Sequence, residues 1–214
     1  MSSYHQFCGV ARSLDLIGDR WTLLIVRELL VRPRRFSELV AGLPGVATNL
    51  LSGRLTELQR DGIVERRLAE RGSVYALTPW GEGLREVLAS LIRWCVPAMA
   101  TGPLKDDTFH ADWLHIALDA FLADARAARS TTVALTCAEA RFVITAGPEG
   151  TKVREDPDAR AEAELRAPGP LLTALASGVL TVDELAARGA TVEGDRAAFD
   201  AIFGRGALAR TEGS

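Results

Sequence analysis

The sequence holds three cysteines, Cys8, Cys95 and Cys137, and no CxxC pair. They are too few and too scattered for a disulfide framework, and their spacing offers nothing to a structural zinc site. No uninterrupted apolar run approaches the roughly 18 residues that span a bilayer. The opening Met1-Ser2-Ser3-Tyr4-His5-Gln6 lacks the basic and apolar regions of a secretory signal. A cytoplasmic protein without a membrane partner is therefore expected. The chain also has no H-E-x-x-H, no G-x-S-x-G and no P-loop. His110 and His115 are five apart, which takes them off one helical face and spoils a metal pair. Gly147-Pro148-Glu149-Gly150 reads as a strand turn, not a phosphate loop. Neither an enzyme nor a cofactor or metal site is expected.

Lysine is missing from the first 103 residues, and that half relies on arginine. It holds 13 Arg against 10 acidic residues, whereas residues 104–214 hold 12 basic against 18 acidic. The halves differ in sign although the net charge is only -3. Such asymmetry is expected when one half meets phosphate, although a difference this small also arises by chance. With 48% hydrophobic and 25% charged residues, the 214-residue chain can build sizeable cores in one large or two small domains.

Periodicity and turn residues order the first half. Residues 8–17 read as a short helix ending at Gly18. Asp19 is placed to cap a second helix to about Val31, with Trp21, Leu24 and Leu29 inward, and Pro33 stops it. A third short helix runs from Phe36 to about Ala41. After the turn Gly42-Leu43-Pro44-Gly45, a fourth runs from Val46 to about Arg60, with Leu51, Leu55 and Leu58 at helical spacing. Strands Ile63–Leu68 and Val74–Leu77 flank a tight turn around Glu70-Arg71-Gly72-Ser73. Thr78-Pro79 opens a last helix to about Cys95. Pro97 and Pro103 then suggest a boundary.

Helix, helix, turn, helix and a two-stranded hairpin make a winged helix-turn-helix, in which one helix enters the major groove. The fourth helix is the candidate reader. Away from its leucines it presents Thr48, Asn49, Ser52, Arg54 and Thr56, groups suited to base edges and phosphate oxygens. Arg35, before the third helix, and Arg66, Arg71 and Ser73, on the hairpin, complete the expected contacts with double-stranded DNA. Each arginine taken alone could equally be a solvated surface charge. Trp80, Leu84, Leu88, Leu91 and Cys95 form an apolar stripe on the last helix, fit either for burial in its own subunit or for a homodimer contact.

The stretch Cys8–Leu29, centred on Gly18-Asp19-Arg20-Trp21, resembles the opening of the HxlR-type winged helix-turn-helix regulators. So do Arg35-Phe36-Ser37-Glu38-Leu39, Leu43-Pro44-Gly45-Val46, Leu51-Ser52-Gly53-Arg54-Leu55, Asp61-Gly62-Ile63-Val64 and Tyr75-Ala76-Leu77-Thr78. The resemblance covers about residues 8–95. It implies a dimer, built from the first and last helices, on a two-fold operator. Ala47 departs from it, standing where the family often has a capping Ser, a role Thr48 is placed to take over. The short hairpin turn departs too and limits the reach of the wing. Cys8 sits where members carry an N-terminal cysteine, in some an oxidant sensor. An exposed thiolate near a positive group such as Arg12 would serve that role; a Cys8 packed in an apolar dimer interface would not.

The second half reads as a helix over 109–128, strands over 131–136, 140–145, 152–154 and 161–166, and a helix over 168–177. Thr181-Val182-Asp183-Glu184 is a capping box. A short strand over 190–193 and a final helix capped by Asp195 and reaching Phe203 follow. Its large apolar residues include Trp113, Leu118, Phe121, Phe142, Leu172, Leu175, Phe199 and Phe203, which would line a pocket for an apolar small-molecule effector or simply fill a core. The run Ala163–Leu175, continued through Gly178–Ala186 and Gly189–Phe199, resembles the sterol carrier protein-like fold over about residues 110–205. That resemblance implies a five-stranded sheet with helices and a tunnel for an apolar ligand. The fold class is therefore α+β: a winged helix-turn-helix over 1–97, a linker over 98–108 and a sterol carrier protein-like domain over 109–210. A transcriptional regulator is the expected function. A lipid carrier, or an adaptor that uses the winged helix only for protein contacts, is the alternative.

Overall fold

The computed structural model describes residues 3–70, 72–138 and 140–204. The chain divides into two compact units, Met1–Leu88 and Ala89–Ser214. In the first, helices α1 (Gly9–Ile17), α2 (Thr22–Val31), α3 (Phe36–Gly42) and α4 (Thr48–Arg60) precede strands β1 (Val64–Leu68) and β2 (Ser73–Leu77). Helix α5 (Pro79–Glu82) follows, and α6 (Leu84–Met99) starts in this unit and continues into the second. Ile25, Val26 and Leu29 of α2 and Leu51, Leu55 and Leu58 of α4 are buried. Spacings of three and four residues put each trio on one helical face, so the opposite face of α4 stays free. The hairpin is antiparallel from Val64↔Leu77 to Leu68↔Ser73. Arg34 extends it by exchanging backbone hydrogen bonds with Tyr75, at 2.9 and 2.7 Å.

Three local expectations change. Helix α2 begins at Thr22, and Asp19 does not cap it; its Oδ1 accepts from the Trp21 N–H at 3.0 Å and closes the turn ahead of the helix. Helix α4 starts from Ala47 without a side-chain cap, and Thr48, already the first helical residue, does not supply one. The long helix expected from Thr78 breaks at Gly83 into α5 and α6, although Thr78 does cap α5 by accepting from the Gly81 N–H at 3.1 Å. Only glycine fits at position 81, because a Cβ there would lie 2.1 Å from the Ile63 carbonyl oxygen as α5 seats on the start of the hairpin.

The second unit contains α7 (Ala111–Leu122), β3 (Thr131–Thr136), β4 (Arg141–Gly147), β5 (Gly150–Glu155), β6 (Ala163–Arg166), α8 (Gly169–Ala176), α9 (Val182–Ala187), β7 (Thr191–Gly194) and α10 (Arg196–Phe203). Its sheet has the order β5-β4-β3-β6-β7, with β3 and β6 parallel and the other pairs antiparallel. Alternation sends Val133, Leu135, Phe142, Ile144 and Leu165 into one core with α7, α8 and α10. Ile92 and Val96, in the later turns of α6, belong to this core as well, ahead of the boundary expected at Pro97. Helix α7 ends earlier than the expected 109–128, because the chain turns back to the sheet, where the Ala127 N–H donates to the Gly147 carbonyl at 3.3 Å. Arg141 fastens the crossover from β5 to β6, donating from Nη1 to the carbonyls of Asp156 and Ala159 at 3.0 and 2.9 Å. The capping box at Thr181 and Glu184 and the Asp195 cap form as expected. Among the described residues no helix is long and apolar enough to cross a membrane.

Candidate nucleic-acid interface

The free face of α4 carries Thr48, Asn49, Ser52, Gly53 and Thr56, all exposed. Asn49 Oδ1 accepts from the Leu50 N–H at 2.9 Å, which leaves its amide nitrogen available. The Thr56 hydroxyl donates to the Ser52 carbonyl at 3.0 Å and can still accept. Gly53 is exposed in mid-helix, and nothing lies within 4 Å of where its Cβ would be. No packing among the described residues therefore explains a residue that costs a helix about 0.5–1 kcal/mol relative to alanine.

The predicted cations behave differently from one another. Arg35 is exposed just before α3, and its side chain has no ion-pair partner among the described residues. Its backbone N–H donates to Glu38 at 2.7 Å, and Arg32 donates to the same carboxylate at 2.8 Å. Those two donors hold Glu38 below the ordinary glutamate range, the Arg35 N–H contributing most. Arg66 and Ser73 meet each other across the hairpin, Nε to Oγ, at 2.7 Å. Arg71 lies outside the described residues. Arg54 is no free cation: its guanidinium donates to Asp19 and to Glu57, each at 2.6 Å.

Sequence reasoning missed a buried charge cluster behind this surface. The Glu28 side chain is 2% exposed and that of Arg34 is 7% exposed. Glu28 Oε1 accepts from Arg27 Nη2 at 2.9 Å, and Oε2 lies 3.4 Å from Arg34 Nη2. Arg34 Nε also donates to the Glu28 carbonyl at 3.2 Å. A Cβ on Gly42 would sit 2.5 Å from Glu28 Oε2. One carboxylate thus joins α2, the end of α3 and, through Arg34, the edge of the wing. The signal was present in the sequence, since Glu28 is a lone acid in the apolar helix Thr-Leu-Leu-Ile-Val-Arg-Glu-Leu-Leu-Val.

The expected dimer stripe is redistributed. Leu88 is only 7% exposed, Leu84 and Cys95 are half-buried, and Trp80 and Leu91 are exposed. The exposed large apolar side chains of α6 are Val87, Leu91 and Trp94, on one helical face, with Trp94 78% exposed, and Met99 at its end. Leu84, Leu88, Leu91 and Cys95 all lie within α6, where Leu88 is drawn inward and Leu91 stays exposed. On α1 and its approach, Phe7, Val10 and Leu14 are exposed.

Cys8, Cys95 and Cys137 are free thiols, and only Cys8 is exposed. The backbone amides of Ala11 and Val10, in the first turn of α1, hold the Cys8 thiol below its ordinary pKa. Arg12 takes no part in this, as its guanidinium lies 3.6 Å from Asp15 instead. Of the pocket candidates, Leu118, Phe121, Phe142, Leu172, Leu175 and Phe199 are buried in the second core, and Phe203 packs against it. Trp113 is half-buried, with its ring 4.6 Å from that of His110. Among the described residues no group of His, Cys, Asp and Glu is placed to hold a metal ion.

Residues 16–101 match the HxlR-like helix-turn-helix family. The uncharacterized HTH-type transcriptional regulator YvaP of Bacillus subtilis is 37% identical over 86 residues, which cover 39% of this chain and 80% of YvaP. The HTH-type transcriptional regulator YodB of the same organism is 34% identical over 85 residues, 38% of this chain and 76% of YodB. The crystal structure of quinone-bound YodB is similar at 32% identity and a TM-score of 0.38, covering 41% of this chain and 96% of that one. With the helices, hairpin and free α4 face in place, the chain belongs to the HxlR-like helix-turn-helix family.

Proposed function

We propose that this protein is a DNA-binding transcriptional regulator that reads a pseudo-palindromic operator as a homodimer, with α4 in the major groove. The observation that carries the reading is the α4 face itself: short polar side chains, exposed, on a helix anchored by three buried leucines. Arg35 and the hairpin arginines would supply phosphate contacts beside it. The exposed apolar residues of α1 and α6 are suited to a second copy. The second unit, with its five-stranded sheet, would be a sterol carrier protein-like domain that binds an apolar effector or extends the dimer. An effector could regulate only by differing in affinity for the DNA-competent and incompetent dimers. The exposed Cys8, its thiolate favoured by the α1 amides, would allow a response to oxidants.

Binding of purified protein to fragments flanking its own gene, in a salt series, tests the reading. Tight, fragment-specific and salt-dependent binding is expected. Binding to no fragment at any salt would leave the adaptor or carrier roles. Asn49→Ala should then blur sequence preference by about 1–3 kcal/mol, as expected where an amide pairs with an adenine edge. A uniform loss over all sequences would remove Asn49 from base reading. Gly53→Ala should raise the stability of the free protein by about 0.5–1 kcal/mol and weaken operator binding, because a methyl group there would stand in the path of the duplex. Unchanged affinity would mean that the duplex does not approach the helix at that point.

A further inference from the structure

Arg54 stands on the helix proposed to read DNA, yet its surroundings are those of a fastening. Nη1 donates to Glu57 Oε2, one turn along α4, and Nη2 to Asp19 Oδ2, 35 positions earlier in the chain, each at 2.6 Å. Charge-assisted bonds this short are among the strongest that side chains make. Nε is buried without a hydrogen-bond partner among the described residues, and each terminal nitrogen already has one N–H committed to a carboxylate. The Arg54 side chain is 25% exposed and its two carboxylate partners little more. Two carboxylates against one guanidinium leave the trio with a net negative charge, which repels a phosphate. Asp19 is itself fixed, because its Oδ1 accepts from the Trp21 N–H at 3.0 Å. Glu57 therefore orients Arg54, and Asp19 ties it to the turn between α1 and α2.

We propose that Asp19 and Arg54 are a positioning pair that sets the angle of α4 against the start of α2, and that Arg54 makes no contact with DNA. This rests on the reading of α4 as the DNA-reading helix. The test compares wild type, Asp19→Asn, Arg54→Gln and the double variant on the preferred fragment and on an unrelated duplex, across salt. Asp19→Asn keeps the side-chain size, and Arg54→Gln shortens the side chain while keeping it polar. Asp19→Asn is expected to weaken the preferred fragment about tenfold and to leave the unrelated duplex unchanged or slightly tighter. Arg54→Gln should do the same with an unchanged salt slope, and the double variant should be no worse than the weaker single. Tighter binding by Asp19→Asn would overturn the proposal, because it would mean that Asp19 had been withholding Arg54 from phosphate. A slope reduced by about one in Arg54→Gln would overturn it as well. Urea unfolding of the same four proteins reads the pair without DNA: non-additive effects are expected, and additive ones would refute the pair. If the wild type binds no fragment, the regulator reading fails, and the urea cycle alone decides whether the pair joins the two helices.

Discussion

Glu28→Gln is expected to cost the first unit about 3–5 kcal/mol, the usual penalty for breaking a buried ion pair from one side. The glutamine is nearly isosteric, so no cavity opens and the loss reports charge. It deprives Arg27 and Arg34 of the carboxylate they share and turns an amide NH2 toward donors that need an acceptor. Burial already lowers the pKa of Arg27, with Glu28 opposing the effect, so the site pays for desolvated cations even in the wild type. Because domain stabilities are only about 5–15 kcal/mol, this one change should bring the unit close to unfolding at room temperature. Urea denaturation measures it. Glu28→Gln with Arg34→Met should recover part of the loss, since removing both charges of a buried pair costs far less than removing one. A loss below about 1 kcal/mol in the single variant would mean that water reaches the cluster and screens it.

Phe142→Ala is the corresponding change in the second unit, with an expected loss of about 3–5 kcal/mol. Phe142 is 1% exposed, is the second residue of β4, opposite Leu135, and its ring lies 5.8 Å from that of His115 of α7, tilted at 54°. Its ring therefore ties the sheet to the helix laid across it. The size of the loss also bears on the apolar-effector reading. In a filled core the alanine leaves a void and the full penalty applies. If Phe142 instead walls an open cavity, it has fewer partners to lose, and the cost falls toward the transfer term alone. In that second case an apolar probe should stabilise the wild type more than the variant. Thermal unfolding with and without the probe separates the two.

Much of the fold was legible in the chain because it depends on short-range signals. Leucines three and four apart announced the buried face of α4, and with it the free face that bears Thr48, Asn49, Ser52 and Thr56. Thr78-Pro79, Thr181 with Glu184, and Asp195 marked helix starts because a cap is settled by neighbours within one turn. The motifs that carry the family resemblance lie in the same local runs, and the match over residues 16–101 bears it out. Position 83 shows where local reading fails: a glycine in a helical pattern is usually tolerated, but here the chain breaks into α5 and α6.

What tertiary structure alone decided is which charged side chains are free. Sequence assigns Arg54 and Arg35 the same chemistry, and the fold gives one of them two carboxylates and leaves the other exposed. Asp19 looks like a helix cap until Arg54 arrives from 35 positions away. Glu28 stands out in its apolar helix, but its pairing with Arg34 is settled only by the fold. A hydrophobic period reports a residue's face from its own helix, whereas an ion pair depends on how separate elements are brought together. The residues that set the α4 surface were thus written in the sequence, and the partners that hold that surface in place were settled only by packing.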